Sequence, residues 1–316
     1  EKSHLQNGLE KIGFQDFAFL NLSARNDWSS TLPLGNNTFF YPSASLSLLV
    51  HEMLPELQDI LSFGKIRASW GKAGNDAAPY LVKSVFIAGN VYNPFGSYPF
   101  PIGGVNGFEI SNRIGNPELV PEISTEWEIG ADLRFLNSRV AVDIAYYNKL
   151  TEGQILDADI APSSGYTVQV KNFGLIRNSG IELLATVIPV QTANFTWSLS
   201  MNYTNNNNVV EELTEGLDEY RFMGIYNTEF VAVPGQPLGV VKVPGIQKDS
   251  EGRTVVNPNT GFPVITAELE EIGTVQPDYV MGITNSFNIF GVELGITFDY
   301  RKGGYMYSGT ADLHYF

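Results

Sequence analysis

The sequence predicts an all-β fold, a transmembrane antiparallel β-barrel. It is expected here as an incomplete barrel fragment of about nine long strands with long extracellular loops. Three observations predict it. Apolar and polar residues alternate with a period of two over many segments, which sorts them onto the two faces of a strand and would scatter them around a helix. Most of these segments run 10 to 13 residues, where soluble strands average about 5–6 and a tilted membrane strand needs about 9–11. The connections between them alternate strictly between short and long, as in barrels with short periplasmic turns and long outer loops.

The elements follow in order. In 16–25 the apolar face is Ala18, Leu20, Leu22 and Ala24; in 38–50 it is Phe40, Ala44, Leu46, Leu48 and Val50. A short connection, 51–61, carries a helical turn at Leu54–Ile60, and 62–70 then sets Ile66, Ala68 and Trp70 on one face. After the long connection 71–123, the segment 124–135 opposes Trp127, Ile129, Ala131, Leu133 and Phe135 to Glu126, Glu128, Asp132 and Arg134. The tight turn Leu136-Asn137 leads into 138–148, with Val140, Val142, Ile144 and Tyr146. The loop 149–175 precedes 176–188, with Ile181, Leu183, Ala185 and Val187. Past the turn Pro189–Ala193, segment 194–204 places Phe195, Trp197, Leu199, Met201 and Tyr203 opposite Ser198, Ser200 and Asn202. The longest loop, 205–277, is followed by 278–289, a turn at Phe290-Gly291, and a last strand to Tyr300. Aromatics sit near the ends of many apolar faces, where a membrane barrel needs interfacial rings. A large soluble sandwich with an aromatic core would share the alternation.

Composition narrows the function classes. Lys plus Arg number 19 and Asp plus Glu 34, a net charge of −15, which disfavours nucleic acid because neutralising phosphates needs clustered cations. There is no cysteine, so disulfides, thiolate metal sites and thiol nucleophiles are excluded. Three dispersed histidines, His4, His51 and His314, support no catalytic triad. No run of about 18 apolar residues offers a transmembrane helix, and the first residues lack a signal-peptide core. An odd strand number ending on the outer side suggests part of a larger barrel. Phe316 is not expected to be its natural end.

Several clusters invite chemistry and have plainer readings. Glu126, Glu128, Asp132 and Arg134 share a face; a carboxylate pair could serve glycoside hydrolysis, but no third group converges, and a charged lumen wall accounts for them. Asp249-Ser250-Glu251-Gly252 has part of a calcium-loop pattern without its closing glutamate, and reads as a charged turn. Asn205–Asn208 reads as a loop entry. Arg25, Lys65 and Arg67 fall on polar faces, either as a basic lumen lining or as ordinary charge pairing. With Asp132 and Arg134 they are the candidate lumen-lining charges. The long loops carry Tyr80, Phe86, Tyr92, Phe95, Tyr98, Phe100 and Phe108, and then Tyr220, Phe222, Tyr226 and Phe230. Exposed rings want cover from a sugar, a peptide, a protein lid or one another. Tyr92, Tyr98, Phe100 and Tyr226 are the candidate ligand or lid contacts. No catalytic residue, metal ligand or cofactor is assigned.

Several strings resemble the SusC/RagA-like TonB-dependent outer-membrane transporters of Bacteroidetes. They are Arg25-Asn26-Asp27-Trp28-Ser29-Ser30-Thr31-Leu32-Pro33 with Phe40-Tyr41-Pro42-Ser43, then Leu61 to Gly71 with Gly74-Asn75-Asp76. Asn116-Pro117-Glu118-Leu119 with Pro121-Glu122, Glu126 to Gly130, Asn178-x-Gly180-Ile181-Glu182 and Arg301-Lys302-Gly303-Gly304 follow in family order. The resemblance implies that residues 1–316 are part of one receptor barrel domain of about 22 strands, with the plug domain, the TonB-contacting segment and the final strands absent. It implies active import of a large nutrient, glycan or oligopeptide, across the bacterial outer membrane and no enzymatic activity. The implied partners are a SusD-like surface lipoprotein lid, TonB with its inner-membrane energising complex, and the lipid bilayer. A passive or structural barrel, or a secreted all-β glycan-binding domain, are the alternatives.

Overall fold

The computed structural model describes residues 3–57, 59–94, 96–214 and 217–314. Its wall opens with β1 (Ser3–Phe14), β2 (Ala18–Ser29), β3 (Thr38–Leu49) and β4 (Leu61–Asn75). An outer segment follows with β5 (Phe86–Ala88), β6 (Asn90–Asn93), β7 (Gly96–Pro99), β8 (Phe108–Ile110) and β9 (Arg113–Ile114). The wall resumes with β10 (Glu122–Phe135), β11 (Val140–Asp159), β12 (Val168–Gln191) and β13 (Phe195–Glu212). A second outer segment carries β14 (Tyr220–Ile225), β15 (Thr228–Ala232), β16 (Val240–Ile246) and β17 (Ile265–Thr274), before β18 (Tyr279–Ile289) and β19 (Val292–Lys302) close the described wall. Two short helices, α1 (Val50–Met53) and α2 (Gly309–His314), complete the set.

Ten long strands form one antiparallel ladder in the order β1-β2-β3-β4-β10-β11-β12-β13-β18-β19, with β9 attached in parallel to β12. Among the described residues β1 and β19 do not meet, so the sheet is an open section of wall. The register aligns the apolar faces expected from alternation. Leu20 pairs with Leu46, Leu46 with Ala68, Ala68 with Ile129, Ile129 with Tyr146, and Tyr146 with Ile181. Because a one-residue slip would turn each strand over, this agreement gives the wall one continuous apolar face and one polar face. On β10 Trp127 and Phe135, and on β13 Tyr203 and Phe195, mark the two ends of the apolar face. Eight residues separate the rings of each pair, which at membrane tilt is about 20 Å of height.

Three differences from the sequence reading have physical causes. The wall has ten strands where alternation gave nine. In β1, Glu10 pairs with Leu22 on the apolar face and Leu9 with Ser23 on the polar face, which erases the period. Strands β11, β12 and β13 extend well past the expected loop entries, so Lys149–Asp159 and Asn205–Asn208 are ladder residues. There the residues no longer alternate between apolar and polar, so the period of two is lost while the ladder continues. The turn expected at Leu54–Ile60 begins earlier, as α1 followed by a 3-10 turn at Pro55–Leu57; Gln58 lies outside the described residues, as does Phe316.

The tight turns gather at one end of the wall. Phe290 and Gly291 both take positive φ, 50° and 86°, the pairing a two-residue hairpin favours. The dry cores lie at the other end. One packs Leu32, Phe39, Ala77, Leu119 and Val170; the second packs Ala158, Phe173, Val210, Tyr220 and Ala232.

Candidate functional site at the outer rim

The first core is where three of the motif strings meet. Ser29 Oγ donates to Asp76 Oδ2 at 2.6 Å, so the Ser29-Ser30-Thr31 loop is tied to the Gly74-Asn75-Asp76 turn. Leu119, fully buried, enters from the Asn116–Glu122 string, and Asn36 donates to its carbonyl at 3.2 Å. Glu122 accepts from Ile155 N at 2.6 Å and from Asn75 Nδ2 at 3.0 Å, tying β10, β11 and β4 together. The buried hydroxyls of Ser29 and Thr31 and the half-buried carboxylates of Asp76 and Glu122 are stable here because each is hydrogen-bonded.

The second core rests on an amide hub. Asn178 Oδ1 accepts from Asn208 Nδ2 at 2.8 Å and Asn206 Nδ2 at 3.1 Å, and Asn208 Oδ1 in turn receives Leu238 N at 2.7 Å. Gly180 is required beside it, since a Cβ there would stand 2.0 Å from the Asn205 carbonyl oxygen. Tyr220 donates its hydroxyl to the Asp157 carbonyl, and burial raises its pKa. Lys242 donates to Glu219, and that hydrogen bond raises the ammonium pKa. In the Arg301-Lys302-Gly303-Gly304 string, both glycines have positive φ, and Arg301 Nη2 donates to the Val275 carbonyl at 2.9 Å, so the chain leaving β19 folds back onto the second outer segment.

The exposed rings stand on this rim. Tyr92 and Tyr98 belong to the β6–β7 hairpin but face opposite sides, because Tyr98 pairs with Val91 and Tyr92 with Ser97. Tyr226 stands at the tip of the β14–β15 hairpin, 78% exposed, with its ring 6.4 Å from Tyr307. Phe100 is half-buried with its ring over Gly107. Tyr220 and Phe230 are buried, and Phe95 lies outside the described residues. The structure adds a grouping that the sequence reading missed: Phe86 pairs with Ile110 and Ala88 with Phe108. One face of this two-stranded sheet therefore presents Phe86, Phe108 and Ile110, at 72%, 71% and 59% exposure. The available signal was two three-residue alternations, Phe86-Ile87-Ala88 and Phe108-Glu109-Ile110, too short to register as strands.

The polar face carries the charges. Arg67 reaches across Gly130, whose Cβ would lie 2.7 Å from the guanidinium carbon, to Glu128 at 3.0 Å and Asp143 at 2.9 Å. Arg134 meets Asp132 at 3.4 Å, and Lys65 lies opposite Asp132 in the ladder. Arg25 is engaged by Asp27 at 2.7 Å. Arg25 pairs with Tyr41 on β3 and Arg67 with Ser47, about 20 Å apart along the strand, so these cations do not form one patch. Asp249 closes its own turn, accepting from Glu251 N and Arg253 N at 2.9 Å each, and the Arg253 contacts hold its carboxyl below the usual range. Among the described residues no three His, Asp or Glu side chains group as a metal site.

A family profile described as "TonB dependent receptor-like, beta-barrel" matches residues 11–244. The chain belongs to this family. As a β-barrel of the TonB-dependent receptors it is an outer-membrane protein. TonB-dependent receptor P26 of Formosa agariphila is 27% identical across 98% of this chain and 32% of its own length. TonB-dependent receptor SusC of Bacteroides thetaiotaomicron is 30% identical across 66% of this chain and 21% of its own length. The chain thus spans about a third or less of these receptors. Among solved structures, the RagAB peptide importer in its closed-closed state superposes with a TM-score of 0.75 over 95% of this chain and 33% of that one, at 20% identity. That likeness is one of fold.

Proposed function

We propose that residues 1–316 are part of the barrel domain of a TonB-dependent importer that carries a large nutrient, a glycan or an oligopeptide, across the outer membrane. A SusD-like lipoprotein covers the outer rim, and TonB with its inner-membrane complex supplies the energy. The plug and the strands that close the wall belong to the rest of the protein. The observation that carries the reading is the rim: exposed rings on short, paired strands, next to two apolar cores at the outer end of a membrane wall. Rings so mounted lose little freedom on binding, and their apolar faces suit sugar rings and peptide side chains alike. The polar-face charges line the lumen, Arg25, Arg67 and Arg134 in paired form, and no covalent chemistry or cofactor enters the reading.

The test is purification of the full-length receptor from native outer membranes in mild detergent, with co-purifying proteins identified by mass spectrometry. A stoichiometric surface lipoprotein is the expected result. A barrel that purifies alone would remove the lid from the reading. Recovery only in the soluble fraction would overturn the importer altogether.

A further inference from the structure

The apolar face of the wall is uneven. Where β2, β3, β4 and β10 run together, Ala44 and Ala68 form the floor of a hollow of about 340 Å³, walled by Leu20, Leu46, Trp70 and Ile129. Each wall residue belongs to the lipid-facing register. Trp70 pairs with Trp127 at its outer end, at the height of the interfacial rings. Two residues beyond Trp70 on the same face stands Lys72. It is exposed, it forms no ion pair among the described residues, and Thr125 is its ladder partner. A cation on the lipid face is costly at the midplane and cheap near the interface, so Lys72 sits at headgroup depth.

We propose that this feature is a binding site for an outer-leaflet lipid bearing an anionic phosphate. The phosphate lies on the Lys72 ammonium beside the Thr125 hydroxyl, and one acyl chain fills the hollow over Ala44 and Ala68. The pairing of one uncompensated cation with an apolar trough directly beneath it, in a chain of net charge −15, matches the two ends of such a lipid. Farther along the same row, Arg177 of β12 is already engaged by Glu211.

The test uses the full-length receptor, stripped of lipid in detergent and offered an equal mixture of phosphatidylglycerol and phosphatidylcholine, with retained lipid counted by native mass spectrometry. The wild type is expected to retain phosphatidylglycerol several-fold over phosphatidylcholine. Lys72→Ala abolishes that preference. Ala68→Leu, which fills the trough, lowers retention of both lipids. Lys65→Ala, the same charge loss on the opposite face of the same strand, leaves retention unchanged. Heat-modifiable gel mobility establishes that each variant is folded. Equal retention of the two lipids by the wild type, a preference that survives Lys72→Ala, undiminished retention in Ala68→Leu, or an equal loss in Lys65→Ala would each overturn the site.

Discussion

The wall and the outer rim of this receptor are held together in different ways. Wall side chains such as Phe298, 62% exposed, present apolar surface outward to lipid, and the strands are bound chiefly by their ladders. At the rim Leu119, Val170, Val210, Val231 and Val240 are almost wholly enclosed, as in a water-soluble protein. The lesson is that one chain uses two solvents. In lipid every backbone group must be paired internally while side chains are free to face out; at the rim, removal of apolar surface from water does the work.

Substitutions can break this contrast. Leu119→Ala in the first core should cost about 2–5 kcal/mol of local stability, seen as faster amide exchange around Ile155 and Asn172, with the wall's exchange unchanged. Leu199→Arg, midway between Phe195 and Tyr203 on the lipid face, should cost about 2–4 kcal/mol in denaturant titrations of the reconstituted receptor. Ser198→Arg on the polar face should be much milder, and equal tolerance would overturn the assigned orientation. Two glycines sharpen the comparison. Gly180→Ala drives a Cβ against a backbone oxygen and should cost about 1–3 kcal/mol. Gly130→Ala meets only the movable end of Arg67 and should cost roughly 0.5 kcal/mol or less; a larger loss for Gly130→Ala than for Gly180→Ala would reverse the reading.

The smallest effects come with pH. Lys242 and Tyr220 have pKa values raised above their ordinary 10.5 and 10.0. The stability they lend is present in full below those ordinary values and is lost as pH rises through the raised ones. Asp249 is shifted the other way, below 3.8, so its turn keeps that contribution above the ordinary value and loses it as pH falls through the lowered one. Amide exchange at Arg253 in acid and around Asp157 in alkali would report the two transitions. A rim that loosened first at mildly acidic pH would contradict both signs.

The same contrast explains what could be read from the sequence. Where one face meets lipid, alternation is enforced, and segments such as 124–135 and 194–204 showed their faces and direction plainly. β1 hid itself because Glu10 and Leu9 each sit on the face their chemistry would disfavour. The outer parts of β11 to β13 read as loops in the sequence, since with protein or water on both sides nothing enforces a period of two. The rim was legible as aromatic-rich but not as a shape. That Tyr92 and Tyr98 face opposite ways, or that Phe86 and Phe108 share a face, depends on pairings between strands of three or four residues, which no window of sequence resolves. The motif strings were recognisable as text, but their meaning is spatial: Asp76 and Leu119 bring distant strings into one core.

The points where the large outer segments join the wall have a consequence for how such receptors diversify. The first leaves at Asn75 and returns at Glu122, which are ladder partners; the second leaves after β13 and returns into β18, with Thr204 paired to Val280 below it. Apart from the parallel β9–β12 pairing, the wall ladder is therefore made without the intervening residues. Lengthening such an excursion adds only about 0.6 kcal/mol of closure entropy per doubling. The base of each outer segment is thus fixed by the wall: a graft from a sister receptor that keeps the base strands in register, together with the β9 pairing and Leu119 of the first segment, should leave membrane insertion intact.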